Sequence, residues 1–320
     1  MRMEWNKIKY RAKVILIALI VLFIVSQLGG FFYYYFQFDV PTFKDSVSNI
    51  EWVEGDGIAL IRSEKGELAT LIQIAPGEFN EGAELEINQL KGLLGPGADF
   101  LDQEFPSIKR KIESGYWLAD SETSFKFFEH FVKSTGYETV AEKQGYSWLL
   151  RADEFVRTNG VNWRNYSDSI KSNQPVVMIA WADAKAFTNW LSSVLNKEVR
   201  LPESSEWEYA CKAGTPTLFS FGNDTTFLSD FAWYNRNLLD KGVPQTIKHK
   251  RPNSWGLYDM HGNVWEWCEN SPNFLEIKSK AIRGGSWLNS PRSLRSSFNA
   301  FERSEIREPH IGFRILVELN

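Results

Sequence analysis

Residues 253–269 read NSWGLYDMHGNVWEWCE, and the reading of this stretch decides the fold. Asp259, Asn263, Glu266 and Glu269 are interleaved with Leu257, Tyr258, Val264, Trp265 and Trp267. Aromatic rings bury readily, whereas carboxylates and amides do so only when paired or bound to a cation. Gly256 and Gly262 interrupt any long helix or strand, which predicts a tight, folded-back loop. Hard cations such as calcium take several oxygens, some from carboxylates and some from carbonyls of sharply turning backbone. Asp259 and Glu266 offer the carboxylates and the turn at 262–264 the carbonyls. The competing reading is a structural loop whose carboxylates cap helices or pair with arginine, and composition by itself favours it.

Outward from this stretch, the 320 residues give room for one large domain or two smaller ones. A net charge of −4 with mixed signs gives no sign of a nucleic-acid footprint, and no nucleic-acid partner is expected. Aromatic residues make up 15% of the chain, 13 of them Trp, which suits a core filled by rings rather than by long regular elements. No period extends far enough for a repeat or a coiled coil. The two cysteines, Cys211 and Cys268, permit one disulfide in an exported domain. Each lies inside a dense aromatic motif, so two buried apolar thiols are the favoured state.

Residues 14–36, VILIALIVLFIVSQLGGFFYYYF, carry no charge. As a helix they span about 35 Å, enough to cross a bilayer core. Arg2, Lys7, Lys9, Arg11 and Lys13 precede them and place the N-terminus in the cytoplasm. No small-x-small cleavage site follows, so residues 1–37 are expected to be a cytoplasmic stub and a retained signal anchor. The C-terminal domain would then be extracytoplasmic, in a bacterial periplasm or at the cell exterior. Residues 38–69 read as a connector and leading strands, at 50–53 and 58–62, with a third strand at 68–74. Residues 70–320 read as the main domain, with an unmatched insertion near 83–110 where a partner contact or a solvated loop would sit.

Within that domain, 115–120 reads as a strand. Ser121 or Thr123 then caps a helix with Phe125, Phe128, Phe131 and Val132 on one face. Residues 175–179 read as a short buried strand. Ala186, Phe187, Trp190, Leu191 and Val194 follow at helical spacing, and Ser205 with Glu208 forms a capping box for a helix through Cys211. Residues 281–287 read as a core strand ending in a Gly-Gly turn, 288–311 as irregular chain, and 312–318 as the last strand.

Five motifs occur in one order: PVVMIAWADAKAF (175–187), LPESSEWEYACKAG (201–214), GLYDMHGNVWEW (256–267), RGGSW (283–287) and GFRI (312–315). Together they resemble the formylglycine-generating enzyme family, the sulfatase-modifying factors, over roughly residues 70–318. The resemblance implies an α+β fold of the irregular, C-type-lectin-like kind, with little regular secondary structure.

It also implies a chemistry to compare. Members of that family oxidise a substrate cysteine with copper held by two thiolates, because copper(I) selects sulfur ligands. Counted from Gly284-Gly285-Ser286-Trp287, the matching positions are Asn289 and Leu294, which cannot bind copper(I). Copper and formylglycine-generating activity are therefore not expected. Related superfamily members use iron and histidines, but His130, His249, His261 and His310 show no clustered spacing, so iron is not expected either. His261 beside Glu266 and His310 beside the arginine-rich loop are the first candidates for a site assembled from distant residues. By the same resemblance, one structural calcium would be held by Asp259, the carbonyls of Gly262 and Val264, and Glu266.

Two classes of function follow. One is a non-catalytic protein- or glycan-binding module of an envelope complex, presenting the cleft at Ser286, Trp287, Asn289, Leu294 and Arg295. The other is a metal-dependent, non-haem iron oxidoreductase acting on a protein or small molecule. The missing thiol pair and scattered histidines favour the first.

Overall fold

Alternating runs broken by Asp56-Gly57 and Lys65-Gly66 build a meander of β1 (Ile50–Gly55), β2 (Ile58–Ser63) and β3 (Gly66–Ile74) in the computed structural model. The structure describes residues 50–85, 87–94, 104–152, 154–234, 243–270 and 278–319. The anchor expected at 14–36 lies outside them. Among the described residues no helix is long and apolar enough to cross a membrane.

After β3 come β4 (Gly77–Glu81), α1 (Ile87–Leu94), β5 (Ile108–Ile112) and β6 (Tyr116–Ala119). β4 and β5 form a separate two-stranded antiparallel sheet, so the stretch read as an insertion contributes a helix and a strand. α2 (Phe125–Thr135) and α3 (Val140–Gln144) lead to the hairpin of β7 (Tyr146–Arg151) and β8 (Glu154–Asn159). Then follow α4 (Trp181–Leu195), β9 (Val199–Arg200), α5 (Ser204–Lys212) and α6 (Leu228–Phe231). The chain closes with β10 (Trp265–Trp267), β11 (Ser279–Arg283), β12 (Asn299–Arg303), β13 (Ile311–Gly312) and β14 (Leu316–Glu318).

The main sheet has the order β1-β2-β3-β6-β14-β9 and is antiparallel throughout. The leading strands are thus hydrogen-bonded into the same sheet as the last one. The second sheet, β12-β11-β10-β13, is mixed, with β10 and β13 parallel. Its strand β12 lies in the stretch read as irregular. The sequence signal was weak there because the strand is only partly buried and carries little apolar alternation.

Rings fill the space behind the main sheet. Phe127 meets Phe187 edge-on at 4.9 Å between ring centroids, and Phe131 packs on Trp190 at 5.2 Å. This is the geometry aromatic quadrupoles favour. Asp183, fully buried, joins α3 to α4. It accepts from the Val140 and Ala180 amides at 2.9 and 2.8 Å and from the Tyr137 hydroxyl at 3.0 Å.

Two caps differ from the sequence reading. Ser124 caps α2, because the Thr123 amide still pairs with the Phe313 carbonyl and the chain there remains extended. In α5 the Glu203 amide donates to Glu206, while Glu208 turns inward to Arg283 and Lys212. The segment at 175–179 is buried but makes only an isolated bridge, Ser124 to Pro175, instead of a strand ladder, because Met178 turns the chain at φ 62°.

Candidate functional site

The 253–268 loop is held by its own polar side chains. The Asn253 side-chain oxygen accepts from the Trp255 and Leu257 amides, and its amide donates to the Ala210 and Cys211 carbonyls. This turns the chain over α5 before Asp259 and Asn263 take left-handed conformations, at φ 56° and 58°. Gly262, at φ +100°, sits where a Cβ would collide with the Trp233 carbonyl. Backbone of this kind is strained for other residues and marks a built turn.

Inside the loop the carboxylates part company. Glu266, at 0% exposure, accepts from Arg314 Nε at 2.6 Å and Nη2 at 2.7 Å, and from Trp207 Nε1 at 2.7 Å. Both of its oxygens are engaged in a bidentate, charge-assisted pair. Asp259, at 2% exposure, accepts from the Lys248 amide at 2.8 Å through Oδ2, while Oδ1 is buried with no hydrogen-bond partner. Burial pushes Asp259 up to about 6.

A third carboxylate, outside the motif, joins them. Glu122 is 2% exposed. Its Oε1 accepts from Asn263 Nδ2 at 3.0 Å, and its Oε2 has no partner. Burial, then the negative charges of Asp259 and Glu266, push it well above the ordinary carboxylate range. Nothing in the Ser121–Ser124 stretch announced this role, since polar residues before a helix read as caps.

All these donors are hard oxygens, the set that suits calcium. The orphaned Asp259 oxygen fits the expected site, whereas Glu266 is already saturated by Arg314 and Trp207. Among the described residues, no three His, Cys, Asp or Glu side chains converge closely enough to hold an ion alone, so a cation here needs main-chain carbonyls as well.

At the positions the resemblance assigns to copper, Asn289 caps the Gly-Gly turn. Its side-chain oxygen accepts from the Ser286 amide at 2.9 Å and the Ser286 hydroxyl at 2.7 Å. Leu294, at 0% exposure, packs in a cluster with Ala83, Phe219, Leu228 and Tyr234. Trp287 is buried, and its ring nitrogen donates to the Pro309 carbonyl at 3.2 Å. Arg295 is paired with Glu104 from the inserted stretch and also donates to the Arg292 carbonyl.

Both cysteines are free and buried. Burial pushes the Cys211 thiol up to about 12 and Cys268 higher still. The Cys211 sulfur lies 3.9 Å from His261 Nε2, yet the two make no reactive pair. His261 donates from Nδ1 to the Leu294 carbonyl at 2.8 Å and accepts the Ser220 amide at Nε2 at 3.1 Å. Burial holds that imidazole down to about 4, so it stays neutral beside a protonated thiol.

His310 differs. Its ring stacks on Phe155 at 4.9 Å, and its Nδ1 lies 3.5 Å from Glu308 but has no hydrogen-bond partner. Burial lowers His310 to about 3. Burial, with the Glu302 charge, raises Glu308 to about 7.

The curled sheets, the aromatic core and the turn at Asp259–Glu266 together define a sulfatase-modifying-factor type of domain. Residues 59–319 match the sulfatase-modifying factor enzyme 1-like domain, and the chain belongs to that family. It is 34% identical to the mouse (Mus musculus) formylglycine-generating enzyme over 201 residues, covering 53% of this chain and 52% of that protein. The chain therefore spans about half the length of that relative. It is 25% identical over 253 residues to the inactive C-alpha-formylglycine-generating enzyme 2 of Bos taurus, covering 70% of this chain and 78% of that one. The solved structure of PvdO from Pseudomonas aeruginosa superposes with a TM-score of 0.66 at 20% identity, covering 83% of this chain and all of that one. That likeness speaks to the fold.

Proposed function

We propose that this chain is a non-catalytic member of the family, a membrane-anchored extracytoplasmic module that binds a protein partner or glycan in an envelope complex. One observation carries the reading. The two positions where copper thiolates would stand hold Asn289, spent on capping a turn, and Leu294, locked in an apolar cluster. The remaining thiols are buried and protonated, and a relative of the chain is itself named inactive. The charge-free run at 14–36, preceded by five basic residues, supports the anchor.

The test incubates the purified full-length chain with copper(I), oxygen, reductant and a cysteine peptide of the sulfatase type, then measures aldehyde. The expected result is none above a protein-free control. Multiple turnovers per chain would sink the proposal.

The loop around Asp259 is read as one structural calcium site, with the Gly262 and Val264 carbonyls among its ligands and no catalytic role. A second reading, a non-haem iron oxidoreductase, draws on a single observation: the His310 imidazole beside Glu308 with an unpartnered nitrogen. Iron in stoichiometric amount in the purified full-length chain, lost in His310→Ala, would favour it over the non-catalytic reading.

A further inference from the structure

We propose that the cleft between β3 and the segment at 246–249 binds a free aliphatic amino acid as its zwitterion, with Glu122 taking the ammonium and Lys126 the carboxylate. The cleft holds about 260 Å³. That is just under the roughly 300 Å³ at which pockets for larger organic ligands begin, so its ligand is small.

The polar lining divides into groups that are satisfied and groups that are not. Thr70 donates to Glu67 at 2.7 Å and accepts from the Lys248 ammonium at 3.3 Å, and Lys248 pairs with Asp120 at 2.7 Å. These side chains are spent on one another. By contrast Lys126, Thr123, Asn173, Thr246 and His249 line the cleft with side chains that make no hydrogen bond or ion pair among the described residues. Glu122 is the most buried polar residue of the lining, at 2% exposure. Asn263 holds its Oε1 at 3.0 Å, and Oε2 has no partner.

The unsatisfied groups set the charges of the ligand. A buried carboxylate oxygen without a donor carries its full desolvation cost, which a cationic donor offsets. A ligand with only a positive charge would set like charge against Lys126. One with only a negative charge would be repelled by Glu122. A small molecule carrying both signs answers both, and the Thr123 and Thr246 hydroxyls and the Asn173 amide add neutral donors. Leu68, Ile247 and Ile315 supply an apolar side to the cleft, which suits an aliphatic side chain.

The main chain around the cleft argues against an extended peptide. The amides of Asp120, Lys126 and Ile247 already donate to the Thr70, Ser172 and Asn173 carbonyls, and the Lys248 amide donates to Asp259. Recognition of an extended peptide uses a free strand edge, and none is offered here. A free amino acid needs only the side chains. The inference does not depend on the calcium reading and adds a small-molecule ligand to a chain read as non-catalytic.

The test is calorimetric titration of L-leucine, L-isoleucine and L-valine in turn into the full-length chain in detergent, with calcium held constant. At least one should bind, at about one molecule per chain. With leucine as the example, N-acetyl-leucine lacks the ammonium and leucinamide lacks the carboxylate. Each should bind at least about tenfold more weakly than the parent amino acid. Lys126→Met should weaken the amino acid by a similar factor and leave the amide analogue unchanged. Glu122→Gln, which keeps an acceptor for Asn263, should weaken the amino acid and leave the acetyl analogue unchanged. A misfolded variant would lose every ligand alike, so these splits are specific to the charges. Lys126 is half-buried and unpaired, so its variant serves if Glu122→Gln does not fold. An analogue of one charge binding as tightly as its parent overturns the inference, as does no binding by any of the three amino acids.

Discussion

Glu104, from the stretch that matches no family motif, is buried against Arg295, six residues beyond the first copper position. It accepts from the guanidinium and from the Ser297 hydroxyl. The inserted stretch thus sends a carboxylate into the segment that holds the two positions the resemblance assigns to copper. Removing it leaves a buried, unpaired guanidinium, so Glu104→Ala should lose about 3–5 kcal/mol in urea denaturation. A loss below about 1 kcal/mol would mean that Arg295 finds another partner.

Leu294 occupies a core position, where copper chemistry would need a thiolate open to substrate. Leu294→Ala should cost about 2–5 kcal/mol, as for other fully buried leucines, again by urea denaturation. An unchanged midpoint would indicate that this side chain is not packed as described.

Gly262→Ala forces a Cβ onto the Trp233 carbonyl at a φ that alanine rarely adopts. The expected outcome is a loss of more than about 3 kcal/mol, or failure to fold, seen as lost near-ultraviolet dichroism. Gly214→Ala also lies at positive φ but has open space around it, and should be milder.

His261 provides a pH signature. Burial holds it down to about 4 in the folded chain, against 6.5 in the unfolded one. As pH falls from 6.5 to 4, the unfolded chain binds the proton first, so stability is lost through that window, by up to about 3 kcal/mol. Other groups titrate there too. The prediction therefore concerns the difference between wild type and His261→Gln, whose stability should decline less steeply between pH 6.5 and 4. Parallel curves would show that the imidazole is charged in the fold.

Cys211 and Cys268 should stay silent toward a thiol reagent at neutral pH in the native chain. Both should react once it is unfolded, because burial disfavours the thiolate. Rapid modification of either in the native state would contradict that burial.

Much of the fold was legible. The alternating runs at 50–74, the ring-bearing helix faces and the Gly-Gly turn after Arg283 all appear where local pattern places them, because they depend on neighbours in sequence. The caps of α2 and α5 were misplaced by residues whose choice is set by long-range contacts: Thr123 bonding Phe313, and Glu208 drawn to Arg283. In the site, the loop and its carboxylates were visible, but Glu122 was not. Its partner Asn263 lies 141 residues away, and no local pattern distinguishes it from a capping residue.

The amino-acid sequence alone determined the absence of thiols at 289 and 294 and the ring-filled core. Each follows from what a residue type can or cannot do. Only the tertiary structure decided how the buried charges are shared: Arg314 claims Glu266, Arg295 claims Glu104, and Glu122 and Asp259 are each left with a bare oxygen. Charge pairing depends on distance through space and on the water excluded between groups, and neither is encoded in separation along the chain.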